Sequence, residues 1–383
     1  SYLDLLVDLL LVRRLAPSFG AVNLEDISQP NCFRVLDALR ESCDVPVWHD
    51  DAQGTGCVTL AGLLNALKVA DKELARCRIV FFGAGASNTT IARLILLAGA
   101  DPARVAMFDS RGGLHADRAD IAADPRFYRK WEICQTTNPD RIADVATALK
   151  GADVLISLSQ PGPDVIKPEW VRGMAKNAIV FACANPVPEI YPHAAKAAGA
   201  LVVATGRGDF PNQVNNSLGF PGILKGALLV RAKKITDAMA IAAARTIAGF
   251  AERRGLAPDR IMPLMTDEGV FAETAAAVAA QAAADGVVRR ERSPDEVEAR
   301  ARKDIAEAHR ALELLATSTQ RWRTVQGTVL EWADPPVMHR GFDRAQARMG
   351  MARRDSPPGD PSTRGSDRAP CTTKARVWAR GGD

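Results

Sequence analysis

The chain has 383 residues, of which 47% are hydrophobic and 25% are charged, so it can bury a large core and is expected to form about two domains. Its formal net charge is +4, and residues 331–383 hold ten basic against seven acidic side chains, which leaves the remainder nearly neutral and gives no reason to expect nucleic-acid binding. Its apolar runs are all too short to span a membrane, and its seven cysteines lack the paired spacing of metal ligands, which is typical of a cytoplasmic protein.

The first 75 residues place two acidic pairs at the ends of short apolar segments. We predict a helix over residues 1–16, a strand ending at Glu25-Asp26, a helix over residues 32–43 and a strand ending at His49-Asp50-Asp51. Carboxylates at neighbouring strand ends commonly converge on one rim, and oxygen ligands suit Mg²⁺ or Mn²⁺. Each aspartate could equally cap the following helix, and the spacing leaves both interpretations open.

From residue 78 onward, short apolar runs alternate with helical segments. This alternation predicts a Rossmann-like, doubly wound α/β fold with a parallel sheet covered on both faces. The expected strands are Ile79–Phe82, Val105–Asp109, Val154–Leu158, Ile179–Ala182 and Leu201–Ala204, with helices over residues 140–150 and 193–198 among them. After residue 221 the pattern is helical, with a last helix over residues 293–316 that opens on a capping box at Ser293 and Glu296.

A glycine turn directly follows the first strand of this region. Gly83 would permit the tight turn, and Gly85 would let the backbone approach a pyrophosphate at the N-terminus of the next helix. Asn88 stands where the usual fingerprint has its third glycine, which predicts a slightly wider contact between helix and strand. Two glycines alone are a weak signal, so the assignment needs support from elsewhere in the chain.

Asp109 ends the second strand of the sheet, 26 residues after Gly83. An acid there can accept hydrogen bonds from the adenosine ribose hydroxyls, or it can be an ordinary turn aspartate. Arg111 could bind a 2′-phosphate through paired hydrogen bonds or be a solvated loop arginine. The sequence therefore leaves NAD and NADP open.

Five stretches of the chain together resemble the malic enzyme family, especially the bacterial malate dehydrogenases that decarboxylate oxaloacetate. The resemblance covers residues 15–318 and is carried by Val22–Asp26, His49–Thr55, Gly83–Ala86, Ala184–Glu189 and Asn212–Gly222. It implies a partial N-terminal malic enzyme domain with metal-ligand acids over residues 1–75 and an NAD(P)-binding Rossmann domain with C-terminal helices over residues 76–330. Residues 331–383 match nothing in the family, and their composition predicts a disordered tail.

The resemblance also implies a reaction and a set of site residues. The reaction is oxidative decarboxylation of L-malate to pyruvate and CO₂ through metal-bound oxaloacetate, with reduction of NAD or NADP, in a cytoplasmic homo-oligomer. The implied ligands of Mg²⁺ or Mn²⁺ are Glu25, Asp26 and Asp51, with Asp50 beside them in a catalytic, tuning role. The implied dinucleotide contacts are Gly83, Ala84, Gly85, Ala86, Ser87, Asp109 and Asn185, and the implied malate contacts are Asn185 and Asn216.

The chain departs from the family pattern at its start. The family takes its general base from a lysine and its general acid from a tyrosine, both in a segment before the position of Val22. Only 21 residues precede Val22, and they contain Tyr2 but no lysine. Loss of a positioned acid or base typically costs about 10²–10⁴-fold, so we expect a fragment with little activity in the full reaction. The alternatives are a non-catalytic dinucleotide-binding remnant and a metal-free 2-hydroxy acid dehydrogenase.

Overall fold

The structure is a computed structural model that describes residues 2–325 and 374–379. Within it, residues 1–305 and 373–383 belong to one compact unit, and a second unit begins at Ala306, inside the last helix. The division predicted near residue 75 stays a prediction. Across the described ranges, no helix is both long and apolar enough to cross a bilayer.

A small sheet with two helices opens the chain and leads into a long buried helix. Strands β1 and β2 are parallel, with Leu24 level with His49, so the acids that follow them leave the sheet side by side. A single π-helical turn over Asp50–Gly54 joins β2 to the next helix. The elements of this part are α1 (Tyr2–Leu15), β1 (Phe19–Glu25), α2 (Asn31–Ser42), β2 (Val47–His49) and α3 (Thr55–Ala70).

The predicted α/β fold is confirmed by a six-stranded sheet in the order β5-β4-β3-β6-β7-β8, in which all strands except the short β5 run parallel. Ile79 and Phe81 of β3 point into one hydrophobic core and Val80 into another, as expected for a sheet covered on both faces. The strands are β3 (Ile79–Phe82), β4 (Val105–Asp109), β5 (Gly112–Gly113), β6 (Val154–Ser157), β7 (Ala178–Ala182) and β8 (Ala200–Thr205).

The strand order reverses at β3, because β4 lies on one side of it and β6 on the other. The carboxyl ends of strands at such a switch point form the crevice where open α/β sheets bind ligands. The helices that connect these strands are α4 (Ala86–Leu97), α5 (Ala119–Ala122), α6 (Tyr128–Thr136), α7 (Val145–Leu149), α8 (Pro168–Arg172) and α9 (Pro192–Ala197).

Four further helices follow, and two of them pack unusually closely. A Cβ added at Gly226 would lie 2.4 Å from the backbone oxygen of Ala275, so glycine is what allows α10 to approach α12. The capping box is confirmed, because the Glu296 amide donates to the Ser293 hydroxyl and the Ser293 amide to the Glu296 carboxylate. The helices are α10 (Phe220–Leu229), α11 (Asp237–Arg253), α12 (Gly269–Ala284) and α13 (Pro294–Val325).

Two expectations need correction. The helix expected over residues 140–150 is only α7, because the Asp144 side chain accepts the Thr147 amide and caps a later start. Part of the tail expected to be disordered is a strand, β9 (Lys374–Ala379), which pairs antiparallel with β1. The edge of β1 that faces away from β2 offers backbone donors and acceptors to β9, which composition alone does not reveal. The rest of the predicted tail after Val325 lies outside the described residues.

Candidate active site

A cleft of about 330 Å³ lies at the switch point of the large sheet. It is lined by loops that follow four of the parallel strands and by the turn that follows β2. Four residues predicted for different parts of the site meet there: Asp51, Ser87, Asn185 and Asn216. Residues without a predicted role also line it, among them Thr55, Ser159, Cys183 and Asn215.

The acids after β1 and β2 are neighbours. Asp26 has a left-handed backbone with φ of 60°, a conformation that aspartate tolerates better than most residues. In this conformation its amide donates a hydrogen bond of 2.7 Å to the Asp51 carboxylate. Glu25 ends β1 and accepts a bond of 2.9 Å from the Asn23 amide group. The two strand ends therefore present hard oxygen donors on one rim.

These donors fit Mg²⁺ or Mn²⁺ by chemical type. Among the residues that the structure describes, however, no three histidine, cysteine, aspartate or glutamate side chains converge closely enough to hold an ion. The assignment of Glu25, Asp26 and Asp51 as ligands is thus supported by strand register and donor chemistry, and it stays a prediction.

Asp50 is buried, and its carboxylate holds a residue of the cleft. One oxygen accepts a hydrogen bond from the Asn216 side chain, and the other lies 3.4 Å from the Trp48 indole nitrogen. A Cβ at Gly54 would lie 2.1 Å from the same carboxylate, so the π-helical turn needs glycine at that point. Asp50 therefore orients Asn216, the predicted malate contact, and its catalytic role stays a prediction.

His49 is buried at the end of β2, directly before this turn, which the sequence did not show. Its ring nitrogens have no hydrogen-bond partner within the described part of the chain. Burial lowers the pKa of His49, and the carboxylates of Asp51 and Asp26 oppose that shift.

The glycine turn between β3 and α4 has the geometry that a dinucleotide needs. Gly83 has φ of 96°, and a Cβ there would lie 2.3 Å from the Leu158 carbonyl oxygen. Gly85 precedes α4, and a Cβ there would meet nothing within 4 Å. The space above Gly85 is therefore open to a pyrophosphate at the helix N-terminus, where unpaired amides and the helix dipole favour anions.

Two polar side chains brace this turn. Asn88 is fully buried and donates to the carbonyls of Phe82 and Gly83 at 3.0 and 2.8 Å. Gln29 donates to the Ala84 carbonyl and so ties the turn to the loop after β1. Asparagine at the third fingerprint position is therefore a structural part of the turn, which a glycine could not replace. The Ser87 hydroxyl adds a further tie of 2.8 Å to the Asp51 carbonyl.

Asp109 lies at the end of β4, as predicted, but it is already engaged. Arg118 and Lys130 donate to its carboxylate, and burial leaves 12% of its side chain exposed. Burial alone would raise its pKa, but the bonds from Arg118 and Lys130 outweigh that effect and lower it. Its predicted contact with the cofactor ribose stays a prediction.

Glu189 is a residue of the site whose role the sequence did not reveal. It is fully buried, and one carboxylate oxygen accepts the Ser157 hydroxyl at 2.7 Å and the Ser159 amide at 2.9 Å. Its other oxygen accepts the Ala184 amide at 3.0 Å. Glu189 thus joins the loop after β6 to the loop after β7, which carries Asn185. A lone glutamate in a turn sequence gives no signal of this role, since the Ser157 and Ser159 groups that it accepts lie about thirty residues away.

Known proteins share both the fold and these motifs. The sequence profile described as "Malic enzyme, NAD binding domain" matches residues 52–284. The crystal structure of Entamoeba histolytica malic enzyme matches with a TM-score of 0.84 and 56% identity, over 90% of this chain and 69% of that one.

The names of two bacterial relatives specify different cofactors. An NAD-dependent malic enzyme of Geobacillus stearothermophilus is 42% identical over 285 residues, or 74% of this chain and 58% of that protein. An NADP-dependent malic enzyme of Halomonas elongata is 40% identical over 294 residues, or 73% of this chain and 67% of that protein. This chain thus spans roughly three fifths to two thirds of the length of these relatives.

The fold and the glycine turn define an α/β protein of the dinucleotide-binding class. The match to the sequence profile and to these relatives identifies the family within that class. The chain belongs to the malic enzyme family.

Proposed function

We propose that this chain carries the dinucleotide and substrate site of an enzyme that oxidatively decarboxylates L-malate to pyruvate and CO₂, with reduction of NAD or NADP. The cleft at the switch point is the observation that carries the proposal. It joins Asp51, Ser87, Asn185 and Asn216, one from each of four sequence stretches that are separate in the chain. A packing role for these residues would not require them to line a common open space.

The residues of the cleft are suited to binding and orientation. The open space above Gly85 and the N-terminus of α4 would receive the pyrophosphate. Asn216, fixed by the buried Asp50, and the exposed Asn185 offer neutral amides to a hydroxyl or carboxylate of malate. Glu189 fixes the two loops between which the substrate would lie.

Glu25, Asp26 and Asp51 are the residues that would hold a divalent cation. Such an ion acts as a Lewis acid on the oxygens of bound substrate, and the nicotinamide ring accepts the hydride. The Ser87 hydroxyl donates a hydrogen bond to the Asp51 carbonyl, and this bond keeps Asp51 beside the glycine turn. Charged substrate oxygens would therefore be bound between the acid rim and the asparagines.

Ligand binding tests the proposal without requiring turnover. L-Malate is titrated calorimetrically into the chain with NADPH present, with and without Mn²⁺, and D-malate serves as the matched ligand. We expect Mn²⁺-dependent binding of L-malate that weakens about tenfold or more in Asp51→Asn, which removes a charged ligand of the cation, and in Asn216→Ala, which removes a polar contact to malate. The control is Asp44→Asn, because Asp44 is fully exposed and remote from the cleft.

The proposal would be contradicted if the dissociation constant of L-malate were the same with and without Mn²⁺ and in both variants. Binding of NADPH without any binding of malate would favour the alternative, a non-catalytic dinucleotide-binding module. We also propose a homo-oligomer in the cytoplasm, on the strength of the family resemblance. Sedimentation velocity and cell fractionation test these two points.

A further inference from the structure

The edge of the sheet beside the glycine turn carries a cluster of cations. Strands β3 and β4 are paired so that Phe82 is level with Phe108, and the Gly83 amide donates to the Phe108 carbonyl at 2.9 Å. Asp109 therefore follows directly beside the turn that would hold the pyrophosphate. In a Rossmann unit this is the end of the site that faces the adenosine ribose.

The Asp109 carboxylate has no acceptor capacity left for a ribose diol. One oxygen accepts the Arg111 amide at 2.9 Å and an Arg118 nitrogen at 3.1 Å. The other accepts a second Arg118 nitrogen at 3.0 Å and the Lys130 ammonium at 2.7 Å. A carboxylate has about four lone-pair sites, and these four bonds use them all.

Asp109 would release these partners only at a cost. The side chains of Arg118 and Lys130 are 11% and 13% exposed. Freeing one carboxylate oxygen for a ribose hydroxyl would take charge-assisted hydrogen bonds away from these largely buried cations, which is unfavourable. The acid thus serves to hold the two cations in place.

Arg111 is the cation of this cluster with donors to spare. Its guanidinium is 73% exposed and makes one bond, of 3.0 Å, to Asp120, within the described part of the chain. Arg118, in contrast, uses its guanidinium on Asp109, Asp120 and the Gly113 carbonyl. Three cations face two carboxylates here, so the edge attracts an anion.

We propose that this edge is a subsite for the 2′-phosphate of NADP, that Arg111 binds the phosphate through its planar pair of donors, and that the chain therefore uses NADP in preference to NAD. The inference rests on the proposed function, because it concerns the cofactor of the same site. An arginine fork matches phosphate oxygens in geometry and charge. NAD, which has no 2′-phosphate, would find the Asp109 carboxylate saturated and would leave the exposed Arg111 guanidinium without an anion to bind.

The test compares two pairs of probes on the full chain. Dissociation constants are measured for NADPH and NADH by fluorescence, and for adenosine 2′,5′-bisphosphate and 5′-AMP by calorimetry. We expect the 2′-phosphorylated member of each pair to bind at least about tenfold more tightly, since a charge-assisted bond is about twice as strong as a neutral one. The advantage should shrink at high salt because Arg111 is exposed.

Two variants and one control show which residue is responsible for the preference for the 2′-phosphate. Arg111→Gln should remove most of the preference for the 2′-phosphate and leave NADH binding unchanged. Arg104→Gln, at the opposite end of β4 and half-exposed, should leave both constants unchanged. Asp109→Asn keeps its shape but removes the charge, and it should alter NADH binding by less than about threefold because Asp109 is not a ribose ligand in this account.

Equal binding of both members of each pair would overturn the proposal, as would a tenfold loss of NADH binding in Asp109→Asn with NADPH unaffected. If neither dinucleotide binds, the proposed function itself fails and the subsite with it. A preference for NADPH that survives Arg111→Gln would overturn the role given to Arg111. Circular dichroism and thermal unfolding confirm that each variant is folded.

Discussion

Replacing Glu189 by glutamine should loosen two of the loops that line the cleft. The glutamine oxygen can still accept from Ser157 and Ser159, but its NH₂ group then faces the Ala184 amide, a donor against a donor. One charge-assisted bond is lost and one buried N–H is left unsatisfied. At about 1.5–3 kcal/mol for such a bond and about 1–3 kcal/mol for the orphaned group, allowing for overlap, we expect about 2–4 kcal/mol of destabilisation.

The assays are urea unfolding and ligand titration of the same variant. The free energy of unfolding should fall by the amount above, and NADPH should bind about tenfold more weakly if about 1.4 kcal/mol of binding energy goes into re-ordering the loops. Glu189→Ala should be worse in both assays because it orphans two backbone amides. Glu169→Gln is the control, since Glu169 is exposed.

A Glu189→Gln protein within about 0.5 kcal/mol of wild type, the range of ordinary surface substitutions, would refute this reasoning. Loss of stability with unchanged binding of NADPH would show that Glu189 supports the fold without positioning the cleft loops.

Three further predictions follow from single features. Gly54→Ala should cost about 1–3 kcal/mol by overpacking against Asp50, and it should abolish malate binding, as unfolding and calorimetry will show. Because burial raises the pKa of Cys57, a thiol reagent should modify half-buried Cys43 first, as peptide mapping will show. Because the pKa of Asp109 lies below its ordinary 3.8, the stability lost in Asp109→Asn should be constant above about pH 5 and shrink below about pH 4.

Each of these has a matched control. Gly249→Ala lies in α11, where a Cβ meets only the end of Arg253 at 3.8 Å, so it should be neutral or stabilising. Thiol labelling uses a Cys371→Ser background, because Cys371 lies outside the described residues. The acid titration is repeated with Asp124→Asn, whose carboxylate is bonded to a neighbouring arginine at the surface and should contribute little.

The large sheet could be predicted because its strands are short, apolar and separated by helices, and such a pattern has few other solutions. The turn at Gly83 could be predicted because glycines directly follow an apolar strand, and the structure shows that its positive φ and its close contact with Leu158 demand glycine. Local chemistry also predicted the capping box at Ser293. The strand pattern, the glycine turn and the capping box can all be read from residues close together in the chain.

The features that were missed depend on side-chain contacts that the pattern of residue types along the chain does not reveal. Asn88 looked like a weakened fingerprint, but its side chain braces the turn from inside. Glu189 could not be assigned a role because the Ser159 amide that it accepts belongs to the loop after another strand. Asp109 was placed correctly at its strand end, but only the structure shows that Arg118 and Lys130 occupy it.

In the proposed site, the open space above Gly85 receives the pyrophosphate of a dinucleotide. The most direct test is the dissociation constant of NADPH for Gly85→Asp, since a side chain there meets nothing and the variant should fold normally. We expect NADPH to bind at least about tenfold more weakly, because the new carboxylate would lie where the phosphates are bound and would repel them. Unchanged binding of NADPH by a folded Gly85→Asp protein would contradict this placement of the pyrophosphate.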